Sequence, residues 1–322
     1  MTMEQRERVA DALSLTRRWS VANVAAAAVL PDRSTVFVGP QHHVFRLASI
    51  SKMLVGWAAL GAVEDGVRDL DERRGAIDGV DMAGCTPRHL LAHAAGFAFD
   101  TTERLAAPGT RRIYSNTGIE LFASHLARVT AMPFVDYLRE GVLEPLGMSS
   151  TTLDGSPARD IFGTVADLVR FVLEVTDPVL VSPAAARAFR SPQFAGLAGV
   201  VPGVGRFDDC AWGLGTELRD GKRPHWTGPR NSAATFGHFG GAGTLLWVDP
   251  EAATACVALT DRPFDEWASE ALVLWPALAD ALLLAVSGER PDAADGSVTA
   301  TPPVAATPAA PGRQRLGSPV AG

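Results

Sequence analysis

The stretch Leu47-Ala48-Ser49-Ile50-Ser51-Lys52-Met53-Leu54 opens an apolar run that continues to Gly66. Between residues 47 and 63, every side chain is apolar or small except two serines and Lys52. A segment that is apolar on all faces is expected to form a helix inside a domain rather than on its surface. Lys52 is therefore predicted to be buried, where a lysine must be paired or have its pKa lowered.

Ser49 lies three residues before Lys52, a spacing that puts both side chains on one face of a helix. Ser49 also falls near the predicted helix start, where free N–H groups and the positive end of the dipole favour a developing negative charge. Together these features suit covalent acyl transfer. Alternatively, Ser49 only caps the helix and Lys52 reaches the surface. Lys52 and Lys222 are the only lysines in the chain, and lysine, unlike arginine, can act as a base near neutral pH.

The overall composition describes a globular protein with ample material for a core. Of the 322 residues, 47% are hydrophobic and 20% are charged, which is ordinary for globular domains. The net charge of −7 argues against nucleic acid or an anionic membrane as the main partner. Uninterrupted apolar runs are shorter than the ~20 residues of a membrane span. No Cys/His cluster has metal-ligand spacing and no Gly-rich phosphate loop follows a strand, so no metal or cofactor is predicted.

Two features bear on the cellular compartment. Residues 1–18 alternate charged and apolar positions and lack the apolar core of a secretory signal. The three cysteines, Cys85, Cys210 and Cys256, are widely spaced and odd in number, which suits reduced thiols. Both features predict a cytoplasmic protein.

Short apolar runs bounded by turn residues predict strands near both ends of the chain. Residues 21–30 and 34–38, joined by Pro31-Asp32-Arg33, predict an antiparallel hairpin. Later strands are predicted at residues 211–218, 242–248 and 253–259, and a long apolar helix at residues 267–286. Intervening helices are predicted at residues 117–130, 133–142, 164–175 and 183–188, with another beginning at Thr86.

This order predicts an α/β (α+β) fold in which an antiparallel sheet is flanked by helices. Residues 1–66 and 207–287 are predicted to form a discontinuous sheet domain, and residues 67–206 an inserted all-helical subdomain. Residues 288–322 are rich in Pro, Ala, Gly, Thr and Ser and have almost no large apolar side chains. That composition cannot bury enough surface to fold, so the tail is predicted to be disordered.

Two further segments carry candidate partners for Ser49. Ile113-Tyr114-Ser115-Asn116-Thr117-Gly118 places a tyrosine in a polar turn entering a helix. Nearby ammonium groups are expected to lower the phenol pKa from ~10 enough for proton relay, and Asn116 can donate to an acyl group while accepting from a lysine. Phe236-Gly237-His238-Phe239-Gly240-Gly241-Ala242-Gly243 places His238 among glycines that permit a close backbone approach. Taken singly, these motifs also suit an ordinary turn and a core histidine.

Together the three segments resemble the serine β-lactamase and penicillin-binding-protein superfamily. The family order is Ser-x-x-Lys, then Tyr-x-Asn, then Lys/His-x-Gly, and this chain has Ser49-x-x-Lys52, Tyr114-x-Asn116 and His238-x-Gly240 in that order. The likeness is closest to class C-like enzymes, DD-peptidases and esterases of the β-lactamase/transpeptidase-like fold, and it covers roughly residues 10 to 285. Secondary similarities are the segments Leu90-Leu91-Ala92-His93-Ala94-Ala95-Gly96, Pro145-Leu146-Gly147-Met148 and Trp212-Gly213-Leu214-Gly215.

The resemblance implies a role for each motif residue. Ser49 would be the acyl-accepting nucleophile, and Lys52 and Tyr114 would form the base that takes its proton. Asn116 would hold the substrate and the Lys52 side chain.

The third motif would complete the site. His238 would stand where many relatives have a lysine, and would help proton transfer or bind a carboxylate or carbonyl. Gly240 and Gly241 would bind substrate, with the backbone N–H groups of Ser49 and Gly241 forming the oxyanion hole. His93 is expected to be structural.

The predicted function is a serine hydrolase that acts through an acyl-enzyme on small esters or amides. A buried His238 beside Lys52 should have a depressed pKa and anchor carboxylates weakly, which favours an esterase over a β-lactamase or DD-peptidase. An acyltransferase or thioesterase of a biosynthetic pathway is the enzymatic alternative, and a silent sensor with the penicillin-binding fold is the non-enzymatic one. A small-molecule substrate is the expected partner, and the sequence leaves the oligomeric state open.

Overall fold

The computed structural model describes residues 1–67, 69–73 and 75–289. The helices in this part of the chain are α1 (Met3–Leu13), α2 (Ser51–Glu64), α3 (Pro87–Leu91), α4 (Asn116–Thr130), α5 (Phe134–Leu138), α6 (Val165–Thr176), α7 (Pro183–Phe189) and α8 (Ala268–Ser287). The strands are β1 (Val24–Val29), β2 (Thr35–Val38), β3 (Phe45–Arg46), β4 (Ala76–Ile77), β5 (Val80–Asp81), β6 (Thr152–Leu153), β7 (Ile161–Gly163), β8 (Gly199–Val201), β9 (Gly205–Phe207), β10 (Glu217–Leu218), β11 (Phe236–Gly240), β12 (Thr244–Asp249) and β13 (Thr254–Thr260). Short 3₁₀ turns lie at Ser14–Arg18, Ala48–Ile50 and Phe264–Glu266, and a π-helical turn at Arg139–Leu143.

A six-stranded antiparallel sheet with the strand order β10-β11-β12-β13-β1-β2 occupies the centre of the fold. Strand β1 lies between β13 and β2, so the beginning and the end of the described chain are joined in one sheet. The β1–β2 pairing confirms the predicted hairpin. The antiparallel sheet flanked by helices confirms the predicted fold class.

The sheet separates two hydrophobic cores, and alternate residues of each strand belong to different cores. In β1, Ala25 and Ala27 belong to the core that contains α2, whereas Ala26 and Ala28 belong to the core that contains α1 and α8. Side chains alternate in direction along a strand, so a strand covered on both sides must be apolar throughout. This explains why β1 is a run of small apolar residues and does not alternate with polar ones.

Helix α2 is the buried helix that the opening stretch predicts. Eleven of its residues are buried, including Lys52. Its backbone approaches the loop before β10 so closely that a Cβ added at Gly56 would lie 2.0 Å from the carbonyl oxygen of Leu214. Glycine therefore allows α2 to lie directly against this loop.

The predicted strand at residues 211–218 is wrong, since only Glu217–Leu218 forms a strand. Gly215 has a φ of 77°, which is outside the extended region. Its N–H donates to the carbonyl of Leu91, and the N–H of Gly213 donates to Thr216. The glycines therefore form a turn that packs on the helices instead of pairing with a neighbouring strand.

The inserted segment, residues 67–206, contains helices α3 to α7 as predicted, together with strands that the sequence pattern did not indicate. Strands β4 and β5 pair with each other, and β6, β7 and the earlier β3 form a three-stranded sheet. These strands are two or three residues long, too short to show a period of two. Strand β11 was also not predicted as a strand, because its glycines indicated only a close backbone approach.

All described residues fall within one compact unit, and the predicted division at residues 66 and 207 stays a prediction. The predicted disordered tail lies outside the described residues except for Gly288 and Glu289. Helix α8 is long and apolar enough to pass the length-and-composition test for a membrane span, a test that core helices also pass. In this fold, Trp275, Leu278 and Leu282 of α8 are buried in the second core.

Candidate active site

Ser49 lies in the 3₁₀ turn that precedes α2, one turn earlier than a regular helix start. The residue before it, Ala48, has a φ of 49°, a strained value for a residue with a side chain and one that often marks functional sites. Hydrogen bonds hold Leu47 on both sides: its N–H donates to the carbonyl of Ile161 at 2.8 Å, and its carbonyl accepts from the Thr244 hydroxyl at 2.9 Å. The sheet thereby fixes the position of Ser49.

Lys52 is fully buried, and its Nζ makes three hydrogen bonds. It donates to Ser49 Oγ at 3.1 Å, to Asn116 Oδ1 at 2.7 Å and to the carbonyl of Ala158 at 2.8 Å. Burial lowers the pKa of Lys52 to about 7, and the charge of nearby Arg159 lowers it further in the same direction. Lys52 therefore shows both of the alternatives that the sequence left open, hydrogen-bond partners and a lowered pKa, and its charged and neutral forms coexist near neutral pH.

Tyr114 lies two residues before α4, next to the N-cap residue Ser115. Its hydroxyl lies 3.3 Å from His238 Nε2, and Lys52 Nζ lies 4.8 Å from the centre of its ring. Burial raises the pKa of the Tyr114 phenol, and a hydrogen bond with Ser49 only partly offsets this rise. The expectation of a lowered phenol pKa is therefore wrong, because desolvation of the phenolate outweighs the nearby amine. Tyr114 is a neutral phenol that can relay a proton.

His238 lies in the middle of β11 and packs against Tyr114 and Trp212. Its Nδ1 is 2.6 Å from the carbonyl oxygen of Phe239, and a carbonyl can only accept, so Nδ1 carries the hydrogen. Nε2 is then free to accept from the Tyr114 hydroxyl. Burial, followed by the charge of Lys52, lowers the pKa of His238 to about 3, which confirms the predicted depression. The imidazole is neutral.

Asn116, the first residue of α4, is held at both ends of its amide group. Oδ1 accepts from Lys52, and Nδ2 donates to Asp100 Oδ1 at 2.9 Å. Asp100 also pairs with Arg159 at 2.8 Å. The interaction with Lys52 agrees with the prediction, whereas the substrate-holding role stays a prediction. Asp100 was missed because it belongs to none of the three motifs.

Gly240 and Gly241 lie where β11 turns towards β12. A Cβ at Gly240 would be 2.5 Å from the carbonyl oxygen of Leu47, so glycine permits β11 to pack against the Ser49 turn. A Cβ at Gly241 would meet nothing within 4 Å, and this residue lines the same cavity as Ser49. Their roles in substrate binding and in an oxyanion hole stay predictions.

His93, which the sequence suggested was structural, touches the site. Its ring lies 4.5 Å from that of Tyr114, and its Nδ1 accepts from the backbone N–H of Ser115 at 3.2 Å. The left-handed backbone of His93, with a φ of 56°, turns the side chain inward. Burial holds the pKa of His93 well below its usual range. In the sequence, His93 lies between small apolar residues, and this position was a sign that its side chain is buried against the site.

A cavity of about 210 Å³ opens above Ser49. Tyr114, His238 and Gly241 line it beside Ser49, and Glu217 and Asp265 contribute carboxylates. The remaining lining residues are apolar or small: Phe99, Val201, Pro202, Gly203, Trp212, Phe239 and Phe264. Among the described residues, neither lysine nor arginine lines this cavity, and no group of three or more His, Cys, Asp or Glu side chains could hold a metal ion.

The fold is that of the beta-lactamase family, whose members are serine hydrolases. The chain belongs to this family, because the family model, described as Beta-lactamase, matches residues 20–279. The crystal structure of a beta-lactamase from Mycobacterium bovis is 45% identical, with a TM-score of 0.79 over 84% of this chain and 98% of that one.

More distant relatives share the fold. EstCE1, described as a hydrolase with promiscuous acyltransferase activity, is 18% identical with a TM-score of 0.70, covering 87% of this chain and 98% of that one. The D-alanyl-D-alanine-carboxypeptidase/endopeptidase AmpH of Escherichia coli is 39% identical over 57 residues, which are 18% of this chain and 15% of that protein. The chain matches less than half of the length of its curated relatives.

Proposed function

We propose that this protein is a serine hydrolase that cleaves small neutral esters through an acyl-enzyme on Ser49. The observation that carries the proposal is the buried Lys52, whose pKa is near 7 and whose Nζ contacts Ser49 Oγ at 3.1 Å. A base with a pKa near the working pH is best suited to accept a proton in the transition state.

The hydrogen bonds of Lys52 support its role as the base. A neutral amine has two hydrogens and one lone pair. The shorter contacts, to Asn116 at 2.7 Å and Ala158 at 2.8 Å, can retain the two hydrogens. The lone pair is then directed at Ser49, the most distant of the three partners. Loss of one proton thus converts Lys52 from a donor to Ser49 into an acceptor.

Acylation would proceed by attack of Ser49 Oγ on the ester carbonyl while Lys52 takes the hydroxyl proton, either directly or through Tyr114. The backbone N–H groups of Ser49 and Gly241 would stabilise the oxyanion, a contribution of about 3 kcal/mol per donor. The Lys52 ammonium, with Tyr114 as relay, would then return a proton to the leaving alcohol. Water, activated by the same base, would release the acid and restore Ser49.

The charge of the cavity favours neutral substrates over penicillins. Penicillins carry a carboxylate, which a cationic third-motif lysine would bind, but His238 is neutral because its pKa is about 3. The two charged residues that line the cavity, Glu217 and Asp265, are acidic. The description of EstCE1 as a hydrolase agrees with either substrate class, whereas the name of the M. bovis relative favours a β-lactamase.

Steady-state kinetics on p-nitrophenyl butyrate and nitrocefin test this proposal. We expect the larger kcat/KM on the ester, and labelling by an active-site serine probe of the wild type but not of Ser49→Ala. Ser49→Ala should retain the thermal unfolding temperature of the wild type. A larger kcat/KM on nitrocefin would replace esterase by β-lactamase. The absence of both activities and of labelling would favour a silent binding protein.

Acyl transfer is the second candidate, because the cavity walls are largely apolar and would exclude part of the water that competes with another acceptor. EstCE1 is described as having acyltransferase activity. Adding a primary alcohol during turnover of p-nitrophenyl butyrate should then yield the new ester faster than butyric acid. Exclusive formation of the acid at high alcohol concentration would contradict acyl transfer.

A further inference from the structure

Glu217 is a buried carboxylate beside the candidate active site that the proposed mechanism does not use. It lies on the edge strand β10 and pairs with Gly237, the neighbour of His238. Its side chain is only 2% exposed. Burying a carboxylate is costly unless it is paired, and Lys222 Nζ lies 3.3 Å from Glu217 Oε1. The second lysine of the chain is therefore the counter-charge of Glu217.

Two side chains donate hydrogen bonds to this carboxylate. Trp226 Nε1 donates to Oε2 at 2.6 Å, and His225 Nε2 lies 3.2 Å from Oε1. His225 Nδ1 accepts from the backbone N–H of Thr227, so Nε2 carries the hydrogen and donates to Glu217. Burial opposes ionisation, but the charge of Lys222 and these hydrogen bonds lower the pKa of Glu217 to about 2. The side chain is ionised.

The carboxylate retains unused acceptor positions. An ionised carboxylate offers about four lone-pair positions. His225 occupies one on Oε1 and Trp226 occupies one on Oε2, whereas Lys222 Nζ donates to the carbonyls of Ala211 and Leu218 and supplies its charge at 3.3 Å. Among the described residues no third side chain donates a hydrogen bond to Glu217, and Glu217 lines the cavity that contains Ser49. A donor that enters this cavity can therefore complete the set.

We propose that Glu217 determines specificity by accepting a hydrogen bond from a neutral O–H or N–H group on the substrate's acyl chain. This inference rests on the proposed esterase function. The acyl group stays on Ser49 after the leaving group departs, and so takes the cavity beside Ser49. A cationic acyl group would lose its hydration against apolar walls to reach a carboxylate whose charge Lys222 already balances, whereas an anionic one would be repelled by Glu217. A neutral donor avoids both costs.

Matched p-nitrophenyl esters test the proposal on the unmodified protein. Each ω-hydroxyalkanoate of six to eight carbons is compared with the unsubstituted alkanoate that has the same number of non-hydrogen atoms. A hydrogen bond to an ionised acceptor should give the hydroxy ester about a tenfold larger kcat/KM at the best chain length. Esters ending in an ammonium or a carboxylate should be poorer than the unsubstituted alkanoate. Equal rates within each hydroxy pair at every length would overturn the proposal.

Variants locate the effect. Glu217→Gln combined with Lys222→Met removes both charges together, and should reduce the hydroxy preference to near one while unsubstituted alkanoates are still cleaved. Glu174→Gln is the matched control, because Glu174 is a buried carboxylate that binds backbone N–H groups of Val179 and Leu180 and does not line the cavity. It should keep the preference. Loss of the preference in Glu174→Gln, or its survival in the Glu217 variant, would contradict the assignment.

The outcomes separate this inference from the function on which it rests. If the wild type cleaves no alkanoate ester faster than Ser49→Ala does, the esterase proposal fails and the role of Glu217 fails with it. If alkanoates are cleaved but the hydroxy preference is absent, only the role of Glu217 fails. The wild-type comparison gives this result even where the Glu217 variant does not fold.

Discussion

At the scale of single residues, the site depends on how burial changes the proton affinities of three groups. Burial lowers the pKa of Lys52 and of His238 and raises that of Tyr114. Each shift favours the neutral form, as expected where water is excluded. A neutral Lys52 can accept the proton of Ser49 and a neutral Tyr114 can relay it, and this supports Lys52 as the base with Tyr114 as relay.

The pH dependence of kcat/KM tests the Lys52 assignment. The base must be deprotonated, so kcat/KM on p-nitrophenyl butyrate should rise about tenfold per pH unit below pH 7 and level off above it. His238, with a pKa of about 3, stays neutral from pH 5 to 9 and should add no second limb. Initial rates across this range, corrected for spontaneous hydrolysis, measure the profile. A limb centred above pH 9 would contradict a base whose pKa is lowered to about 7.

A double-variant cycle tests whether Lys52 and Tyr114 form one proton path. Lys52→Arg keeps the charge but not a usable proton equilibrium, and Tyr114→Phe removes only the hydroxyl. Each should lower kcat/KM by roughly 10²–10⁴-fold. The double variant should be little worse than the poorer single variant, because members of one path act as a unit. Fully multiplicative losses would mean that the two residues act independently.

The sequence predicted which residues meet but not their environment. Ser49, Lys52, Tyr114 and His238 come together as their motif order suggested. The phenol pKa was misjudged because it depends on the rings packed around Tyr114, among them His93 and Trp212. Such packing between distant segments leaves no local pattern in the sequence. The same reason explains why Asp100 and Glu217 were missed.

At the scale of elements, glycines account for the incorrect predictions. Helix α2 was predicted correctly because its run of apolar and small residues is long, with only two serines and Lys52 in it. The segment at residues 211–218 looked like a strand, but Gly213 and Gly215 let it turn against α2 and neighbouring helices. The glycines of β11 indicated a close backbone approach, and that approach occurs within a strand, since a Cβ at Gly237 would lie 2.1 Å from the carbonyl oxygen of Leu246. Only the tertiary neighbours distinguish these cases.

Two glycines of α2 provide a matched test of this packing. A Cβ at Gly61 would meet nothing within 4 Å, so Gly61→Ala should stabilise the protein by about 0.5–1 kcal/mol through helix propensity. A Cβ at Gly56 would overlap the carbonyl oxygen of Leu214, so Gly56→Ala should lower stability and, by displacing α2, reduce esterase activity. Urea unfolding with kinetics on the same samples measures both effects. Equal stability of the two variants would contradict the close approach of α2 and the loop.

At the scale of the whole molecule, elements from both ends of the described chain close the fold. Strand β1 lies between β13 and β2, and Val9 and Leu13 of α1 are buried in the same core as Trp275 and Leu282 of α8. The small residues of β1 point alternately into the two cores, so both cores can pack against one sheet. Ser49 depends on this arrangement, because Thr244 of β12 holds the carbonyl before Ala48.

Truncation at the two ends should therefore affect the melting temperature differently. Removing residues 1–13 takes Val9, Ala12 and Leu13 from the second core, and losses of about 1.5–3 kcal/mol per large buried side chain should lower the melting temperature substantially. Removing residues 290–322, whose composition predicts disorder, should leave melting temperature and activity unchanged. Calorimetry and p-nitrophenyl butyrate kinetics on both truncated proteins measure the contrast. A large loss of stability on removing residues 290–322 would show that this segment docks on the fold, and an unchanged melting temperature without residues 1–13 would contradict the contribution of α1 to the core.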